Sequence, residues 1–97
     1  MRVRICGAIR SRHLLEFRYD GYPRVAEPYV YGETAKGKRL LRAYQIEGTG
    51  FSRDEQPWRL FDQEKITGLR ASVRTFQGIR PDYNPDDPAM EVIFCRL

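Results

Sequence analysis

Basic and aromatic side chains alternate through the first half of the chain. Six basic residues come from neighbouring segments there: Arg18, Arg24, Lys36, Lys38, Arg39 and Arg42. Four tyrosines lie among them: Tyr22, Tyr29, Tyr31 and Tyr44. Guanidinium groups pair with phosphates, and aromatic rings stack on nucleobases. This pattern is typical of a surface that binds single-stranded nucleic acid or a nucleotide. It also fits tyrosines that fill a core and arginines that only face water.

The distribution of charge favours an anionic ligand. Lys plus Arg is 17 and Asp plus Glu is 13, which gives +4 at pH 7. Ten basic and four acidic residues lie in residues 1–44, against seven basic and nine acidic residues in 45–97. The positive charge therefore belongs to the first half. Its excess is too small to indicate a protein that coats a nucleic-acid duplex.

Motifs that carry catalysis are missing from the sequence. There is no P-loop, no GxSxG, no HExxH and no dinucleotide fingerprint. The carboxylate pairs Asp54-Glu55 and Asp86-Asp87 fall in predicted loops, which indicates solvated surface. A single histidine, His13, gives the two cysteines no zinc-ligand spacing. We therefore expect a protein that is not an enzyme and has no cofactor or metal. A hydrolase built on loop carboxylates is the weakest alternative.

The two cysteines and the apolar runs bear on the compartment. Cys6 and Cys95 lie near opposite ends of the chain, and we expect both to be reduced and buried. Their spacing leaves open whether they lie close together. No apolar run is long enough to cross a membrane, and Arg2 and Arg4 interrupt any secretory signal. These features predict a cytoplasmic protein.

The first thirty residues predict a helix followed by a hairpin. A helical stripe is formed by Ile5, Ala8, Ile9 and Arg12. We expect His13 to close the last turn of this helix, where a cation suits the helix dipole. Alternation over 15–19 predicts a half-buried strand, and Asp20-Gly21 is a strong hairpin-turn signal. In the next strand, 24–32, Pro28 indicates an edge or a bulge.

Further strands complete a small β domain of 97 residues, the size of one domain. They are predicted over 40–46, 58–61 and 66–73, with turns at 35–38 and 62–65. In the fourth strand, we expect Leu60 to point inward and Trp58 to point inward or to lie at the barrel rim. A helix followed by about five antiparallel strands indicates a small β-barrel.

The last part of the chain, residues 74–97, reads as a C-terminal extension. Pro81, Pro85 and Pro88 exclude a regular element through most of it. The apolar stretch Met90 to Cys95 predicts a sixth strand. We expect it to pack on the N-terminal helix or to extend the sheet.

The order of these segments resembles the WYL domain family, over about residues 5–69. The resemblance is carried by Ala8-Ile9, Phe17-Arg18-Tyr19, Arg24 through Glu27-Pro28, Leu41-Arg42-Ala43-Tyr44, and Trp58-Arg59-Leu60-Phe61 leading to Lys65-Ile66. The Trp-Tyr-Leu positions fall on Arg39, Leu40 and Leu41, so only the leucine matches. In the later basic motif, Asp62 replaces the first arginine and Lys65 the second.

The resemblance implies an Sm-like barrel and a bacterial ligand-sensing module with a role in transcription regulation or defence. No helix-turn-helix fits in residues 1–97, which implies a stand-alone module. The implied ligand is single-stranded nucleic acid or a nucleotide. Arg24 and Lys65 match the family best, and Arg39 and Arg42 come from the adjacent strand. These four residues are expected to contact phosphate, and Tyr44 or Tyr31 is expected to stack.

A second hypothesis belongs to a different class of protein. In this hypothesis, the chain is a structural protein that self-associates through a barrel edge, as a homodimer, without a ligand. Salt separates the two hypotheses, because phosphate binding weakens steeply with salt and apolar association does not.

Overall fold

The chain begins with one helix, and the helix ends earlier than the sequence predicts. The computed structural model describes residues 1–51 and 57–97. Helix α1 spans Arg2–Ser11 and buries Ile5, Cys6, Ala8 and Ile9. Arg12 ends it in the left-handed conformation, with a φ of 56°. His13 therefore begins the first strand, and the prediction that it closes the helix is wrong.

Six antiparallel strands form one sheet, which confirms the prediction of a mainly β fold. They are β1 (His13–Tyr19), β2 (Tyr22–Glu33), β3 (Arg39–Gly48), β4 (Trp58–Asp62), β5 (Ile66–Thr75) and β6 (Val92–Arg96). The strand order is β4-β3-β2-β1-β5, and β6 pairs with β2. The first part of β2 pairs with β1 and the last part with β6, so both lie on the same side of this long strand.

Two local signals in the sequence are confirmed. Asp20 and Gly21 both have positive φ values, 52° and 85°, which suit a tight turn between β1 and β2. Pro28 lies in a central strand, and the pairing of β2 with β3 shifts register between Pro28 and Val30. A proline cannot donate to a ladder, so the irregularity accommodates it.

The sheet is open at β4 and β5. Among the described residues, no strand ladder joins these two strands, so hydrogen bonding does not close the sheet into a barrel. One turn of 3-10 helix, Gln63–Lys65, connects them. It lies against the end of β1, where the Asp62 amide donates to the Tyr19 hydroxyl and the Asp20 amide donates to the Lys65 carbonyl.

Both faces of the sheet are covered, and each has its own apolar core. Helix α1 covers one face, which we call the helix face, over Leu15, Phe17, Leu41 and Phe61. Residues 76–91 cover the opposite face, which we call the tail face. Its core contains Leu14, Tyr29, Val30, Leu40, Phe76 and Met90.

The two cores correct the prediction for β4. Phe61 is 2% exposed in the helix-face core, whereas Leu60 is 38% exposed. Trp58 is half-buried and packs against the tail-face core. The prediction that Leu60 points inward is wrong. Alternation along a strand separates its two faces, but it does not say which face is covered at each position.

The C-terminal strand is part of the sheet and also contacts the helix. It pairs with β2 and contacts α1, so both expectations for Met90 to Cys95 are confirmed. Cys6 on α1 and Cys95 on β6 form a disulfide, with Cα atoms 5.7 Å apart. The prediction that both cysteines are reduced is therefore wrong for this structure. Of the helices described, none is long and apolar enough to span a bilayer.

Candidate anion-binding groove

The six residues predicted to bind an anionic ligand do not form one cluster. Arg24, Tyr31 and Arg39 contact side chains of the helix-face core. Arg42 and Tyr44 contact the segment that covers the tail face. Lys65 lies at the start of β5, where its ammonium is 4.0 Å from the Asp20 carboxylate. The sheet therefore separates residues that the sequence placed in one site.

Arg42 and Tyr44 are already engaged within the chain. The Arg42 Nε and a terminal nitrogen donate to the two oxygens of Asp87, at 2.7 and 3.3 Å. Asp87 is 4% exposed. Burial raises the pKa of its carboxyl, but hydrogen bonds from Arg42 and the Ala89 amide outweigh this and hold the pKa below its usual range. The Arg80 guanidinium covers the Tyr44 ring at 4.3 Å.

The next three residues differ in their access to solvent. Tyr31 is 0% exposed, and its hydroxyl donates to the Gln63 side chain, so its ring offers no face for stacking. Arg39 is half-exposed, lies over the Phe94 ring at 5.4 Å and is 3.8 Å from Glu33. Lys65 is also half-exposed. Arg39 and Lys65 remain accessible, on different parts of the surface.

Arg24 is anchored in the sheet and keeps an unused donor. One terminal nitrogen donates to the Gln45 side chain at 3.0 Å, and the guanidinium lies 5.6 Å from the centre of the Tyr19 ring. Gln45 is itself fixed, because its amide donates to the carbonyls of Glu47 and Thr49. The buried Arg24 Nε has no hydrogen-bond partner among the described residues. A buried donor without an acceptor costs free energy.

An open groove of about 580 Å³ lies beside Arg24, between the β1–β2 hairpin and β5. Its lining comprises Glu16, Phe17, Arg18, Pro23, Arg24, Val25, Thr67, Gly68 and Arg70. Strand pairing builds it, because Arg18 pairs with Thr67 and Glu16 with Arg70 across β1 and β5. Three arginines and one carboxylate line the groove, so its charge is positive.

The arginines of the groove differ in their partners. Arg70 donates to Glu16 at 2.6 and 2.9 Å, and hydrogen bonds from Arg70 and Ser72 lower the pKa of the Glu16 carboxyl. Arg18 is exposed and has no ion-pair partner among the described residues. Sequence reasoning missed Arg70. Its position on the exposed face of an alternating strand was the available signal.

An exposed aromatic residue is adjacent in the chain to the groove lining. Tyr22 is 58% exposed and precedes Pro23, which lines the groove. The Asp20-Gly21 turn places it at the tip of the hairpin. An exposed tyrosine beside clustered arginines is a combination that proteins use to bind single strands.

A second polar cluster, under the tail, is structural. Arg80 donates to both oxygens of Glu27, at 3.0 and 2.8 Å, and Glu27 is 4% exposed. The Tyr29 hydroxyl donates to Glu27 and accepts from the Arg80 amide. Burial raises the pKa of Tyr29 to about 12. This network fastens residues near Arg80 to β2.

The carboxylate pairs considered for catalysis give no geometry for it. Asp54 and Glu55 lie outside the described residues. Asp86 pairs with Arg96 and Asp87 with Arg42. Within residues 1–51 and 57–97, no group of three histidines, cysteines or acids could hold a metal ion.

No protein-family model, no curated protein and no solved structure matches the chain. What it binds therefore has to be inferred from the charges and shapes of its own surface.

Proposed function

We propose that this protein is a non-enzymatic binding module of WYL type that recognises single-stranded nucleic acid or a nucleotide. The observation that carries the proposal is the groove of about 580 Å³ with three arginines and one carboxylate in its lining. A phosphodiester matches this charge, because guanidinium groups form paired hydrogen bonds with phosphate oxygens. The ligand is accordingly expected to bind through its phosphates, with a regulatory or defence role for the module.

An Sm-like barrel is the finer fold that we propose. Two features support this fold. A helix precedes five strands in the order β4-β3-β2-β1-β5, and one turn of 3-10 helix joins β4 to β5. A barrel of this kind has little internal space, so its ligands bind on an outer surface or between loops. The groove is such a surface.

Each residue of the groove has a proposed role. Arg18 and Arg70 contact phosphate from the exposed lining, and Arg24, which also lines the groove, adds the attraction of its charge for a further phosphate. Tyr22 stacks on a base. Lys65 ends the 3-10 turn immediately before β5 and adds long-range attraction. Arg39 and Arg42, expected from the sequence to bind phosphate, have no part in this site.

The number of phosphate contacts sets the expected affinity. With about three contacts, the slope of log K against log salt is roughly −2 for a single strand. Binding is therefore micromolar or weaker at low salt. Loss of two contacts reduces the magnitude of the slope by about 1.4.

A pair of matched double variants tests the site. Arg18→Ala with Arg70→Ala removes one arginine without an ion pair and one paired with Glu16. Arg10→Ala with Arg74→Ala also removes two charges, one of them paired with Glu47, and neither residue lines the groove. Titration with a labelled oligothymidylate at several salt concentrations should show weaker binding and a flatter slope for the first variant only. Equal losses in both variants contradict a localised site.

A second candidate function is self-association. The observation that favours it is β5, a ten-residue strand at the sheet edge with Val73 93% exposed. An exposed edge of this length can pair with a second copy. Sedimentation at high salt tests it. A dimer that persists there, and that Val73→Lys disrupts, supports this candidate. A monomer at all salt concentrations excludes it.

We also propose a cytoplasmic location, which suits a regulatory module and which the disulfide directly challenges. Reducing compartments keep most protein thiols reduced. Alkylation of free thiols in intact cells, followed by mass spectrometry of Cys6 and Cys95, tests this location. Fully bonded cysteines in the cell contradict it.

A further inference from the structure

The tail face carries an aromatic and basic surface of its own, formed by Arg42, Tyr44 and Trp58. We call it the outer platform. Arg42 and Tyr44 lie two residues apart on β3, and Tyr44 pairs with Trp58 on β4. The two rings meet edge to face, with centres 5.4 Å apart. A cation beside two aromatic rings is a combination that can bind one nucleotide of a single strand.

Residues 76–91, which join β5 to β6, lie over this platform. We call them the cover segment. Its ends are tied to the rest of the chain by backbone hydrogen bonds, from the Phe76 amide to Arg12 and from the Glu91 amide to Glu33. Among the described residues, no backbone hydrogen bond joins residues 77–89 to a strand. Side chains hold this middle part, as where the Trp58 indole donates to the Pro81 carbonyl.

Two residues of the cover segment contact the outer platform as a nucleotide would. The Asp87 carboxylate accepts two hydrogen bonds from Arg42, which is the geometry in which arginine binds phosphate. The Tyr83 ring lies within 17° of parallel to the Trp58 ring, with centres 6.4 Å apart. The cover segment thus supplies an anion, Asp87, that pairs with Arg42 of the platform, and an aromatic ring, Tyr83, that lies beside Trp58.

The contact is not fully packed. A cavity of about 230 Å³ opens between the cover segment and the platform, with Arg42, Trp58 and Asn84 in its lining. Acidic residues outnumber basic ones in residues 76–91, at four against one. A segment with this charge would compete with a polyanion for the same arginine.

We propose that the cover segment is an intrachain competitor that masks a second surface for single-stranded nucleic acid, with Asp87 in place of a phosphate and Tyr83 in place of a base. The proposal shares the ligand class of the proposed function but concerns a different surface from the groove. Because the segment is tethered at both ends, it can leave the platform without detaching β6, which the disulfide joins to α1.

Opening of the segment controls the apparent affinity of the platform. A ligand that binds only the open form has its affinity reduced by the fraction of molecules that are open. Removal of the Asp87 charge and the Tyr83 ring raises that fraction, so affinity should increase about tenfold or more. The gain should depend on Arg42.

The experiment uses the full chain with an impaired groove, Arg18→Ala with Arg70→Ala, so that failure of the groove and failure of the platform give different results. Tyr83→Ala with Asp87→Asn is added to open the cover segment. The matched control is Asp86→Asn, which removes the neighbouring charge from an exposed side chain paired with Arg96. Oligothymidylate is the probe, and the emission of Trp58, the single tryptophan, reports binding.

We expect the oligothymidylate to quench Trp58 in the opened variant at about tenfold lower concentration than in the Asp86→Asn control. Adding Arg42→Ala should abolish the gain. Hydrogen exchange of the Arg80 amide, which donates to the Tyr29 hydroxyl on β2, should be faster in the opened variant than in the control. If exchange shows an open segment and Trp58 emission still does not respond to the probe, the platform does not bind and the proposal is wrong.

A second measurement covers variants that do not fold. In the groove-impaired protein with its cover segment intact, saturating oligothymidylate should accelerate hydrogen exchange of the Arg80 amide, whose bond to the Tyr29 hydroxyl breaks when the segment leaves. Unchanged or slower exchange there overturns the proposal, because a competitor must leave when the ligand binds. Because both measurements use the groove-impaired protein, they test the platform even if the groove itself does not bind oligothymidylate.

Discussion

Replacement of both cysteines by alanine should remove a large part of the stability of this domain. The Cys6–Cys95 bond joins residues 89 positions apart, so it closes almost the whole chain into a loop. The chain-entropy relation gives about 4.6 kcal/mol of stabilisation at 25 °C for a loop of this size. Domains of this kind have a free energy of unfolding of about 5–15 kcal/mol. The double variant is therefore expected to be marginally stable.

Because the bond joins the two ends of the chain, few other contacts would compensate for its loss. It ties α1 to β6, the two terminal elements, and both cover parts of the sheet. Without it, each end is held only by its own packing, and β6 by a short ladder with β2. Cys6 is 4% exposed, and alanine at this position avoids burying a hydroxyl group.

Urea unfolding followed by circular dichroism measures the effect. The wild-type protein is compared with and without reductant, and the double alanine variant serves as control because reductant cannot alter it. We expect reductant to lower the free energy of unfolding of the wild type to that of the variant, by about 4–5 kcal/mol. Two titratable thiols combined with an unchanged free energy of unfolding would refute the loop-entropy reasoning.

Three further predictions concern single residues. Arg42→Ala leaves the Asp87 carboxylate, which is 4% exposed, without its cation, and should lower the free energy of unfolding by about 3 kcal/mol. Arg39→Ala removes only a surface ion pair and should lower it by less than about 1 kcal/mol. Urea titrations of both variants check this contrast. Burial raises the pKa of Asp87, but the hydrogen bonds and charge of Arg42 lower it more. The stability that this group contributes is present above its unfolded-state pKa and is lost as the pH falls through the lower folded-state pKa. Acid titration below about pH 4 should therefore destabilise the wild type more steeply than the Asp87→Asn variant. A Cβ added at Gly32 would meet the Val92 carbonyl and lie 2.8 Å from the Met90 sulfur, so Gly32→Ala should displace β6 and lower the free energy of unfolding by about 2 kcal/mol. Gly7 lies in the helix with open space around it, so Gly7→Ala should raise the free energy of unfolding by about 0.5–1 kcal/mol. Thermal melts of both variants check this contrast.

Local patterns predicted the elements of this fold well. Alternation over residues 15–19 and the Asp20-Gly21 turn depend on neighbours within a few positions, and the structure confirms both, with the strand beginning two residues earlier, at His13. Whether Leu60 or Phe61 is buried depends on which segment covers each face of the sheet at β4. Residues 76–91 cover the tail face, and the local sequence pattern of β4 does not predict where they lie.

The candidate site was predicted less well, because it depends on pairing across the sheet. Arg42 and Asp87 are 45 positions apart, and no local signal connects them. The residues nominated by composition therefore fall on both faces. Arg24 keeps a place in the groove, while Arg70, 46 positions along the chain, joins it only through the pairing of β1 with β5.

The arginines of this chain fall into two groups that composition alone cannot distinguish. Arg42 and Arg80 each hold a carboxylate that is 4% exposed, so their charges fasten the cover segment. Arg18 has its guanidinium exposed beside a groove with excess positive charge. Loss of a fastening arginine changes the free energy of unfolding, whereas loss of a ligand-binding arginine changes the salt dependence of binding. Measuring both quantities for each variant therefore separates the two effects. Arg18 should change only the salt dependence of binding, whereas Arg42, which we propose binds ligand once the cover segment opens, should change both quantities.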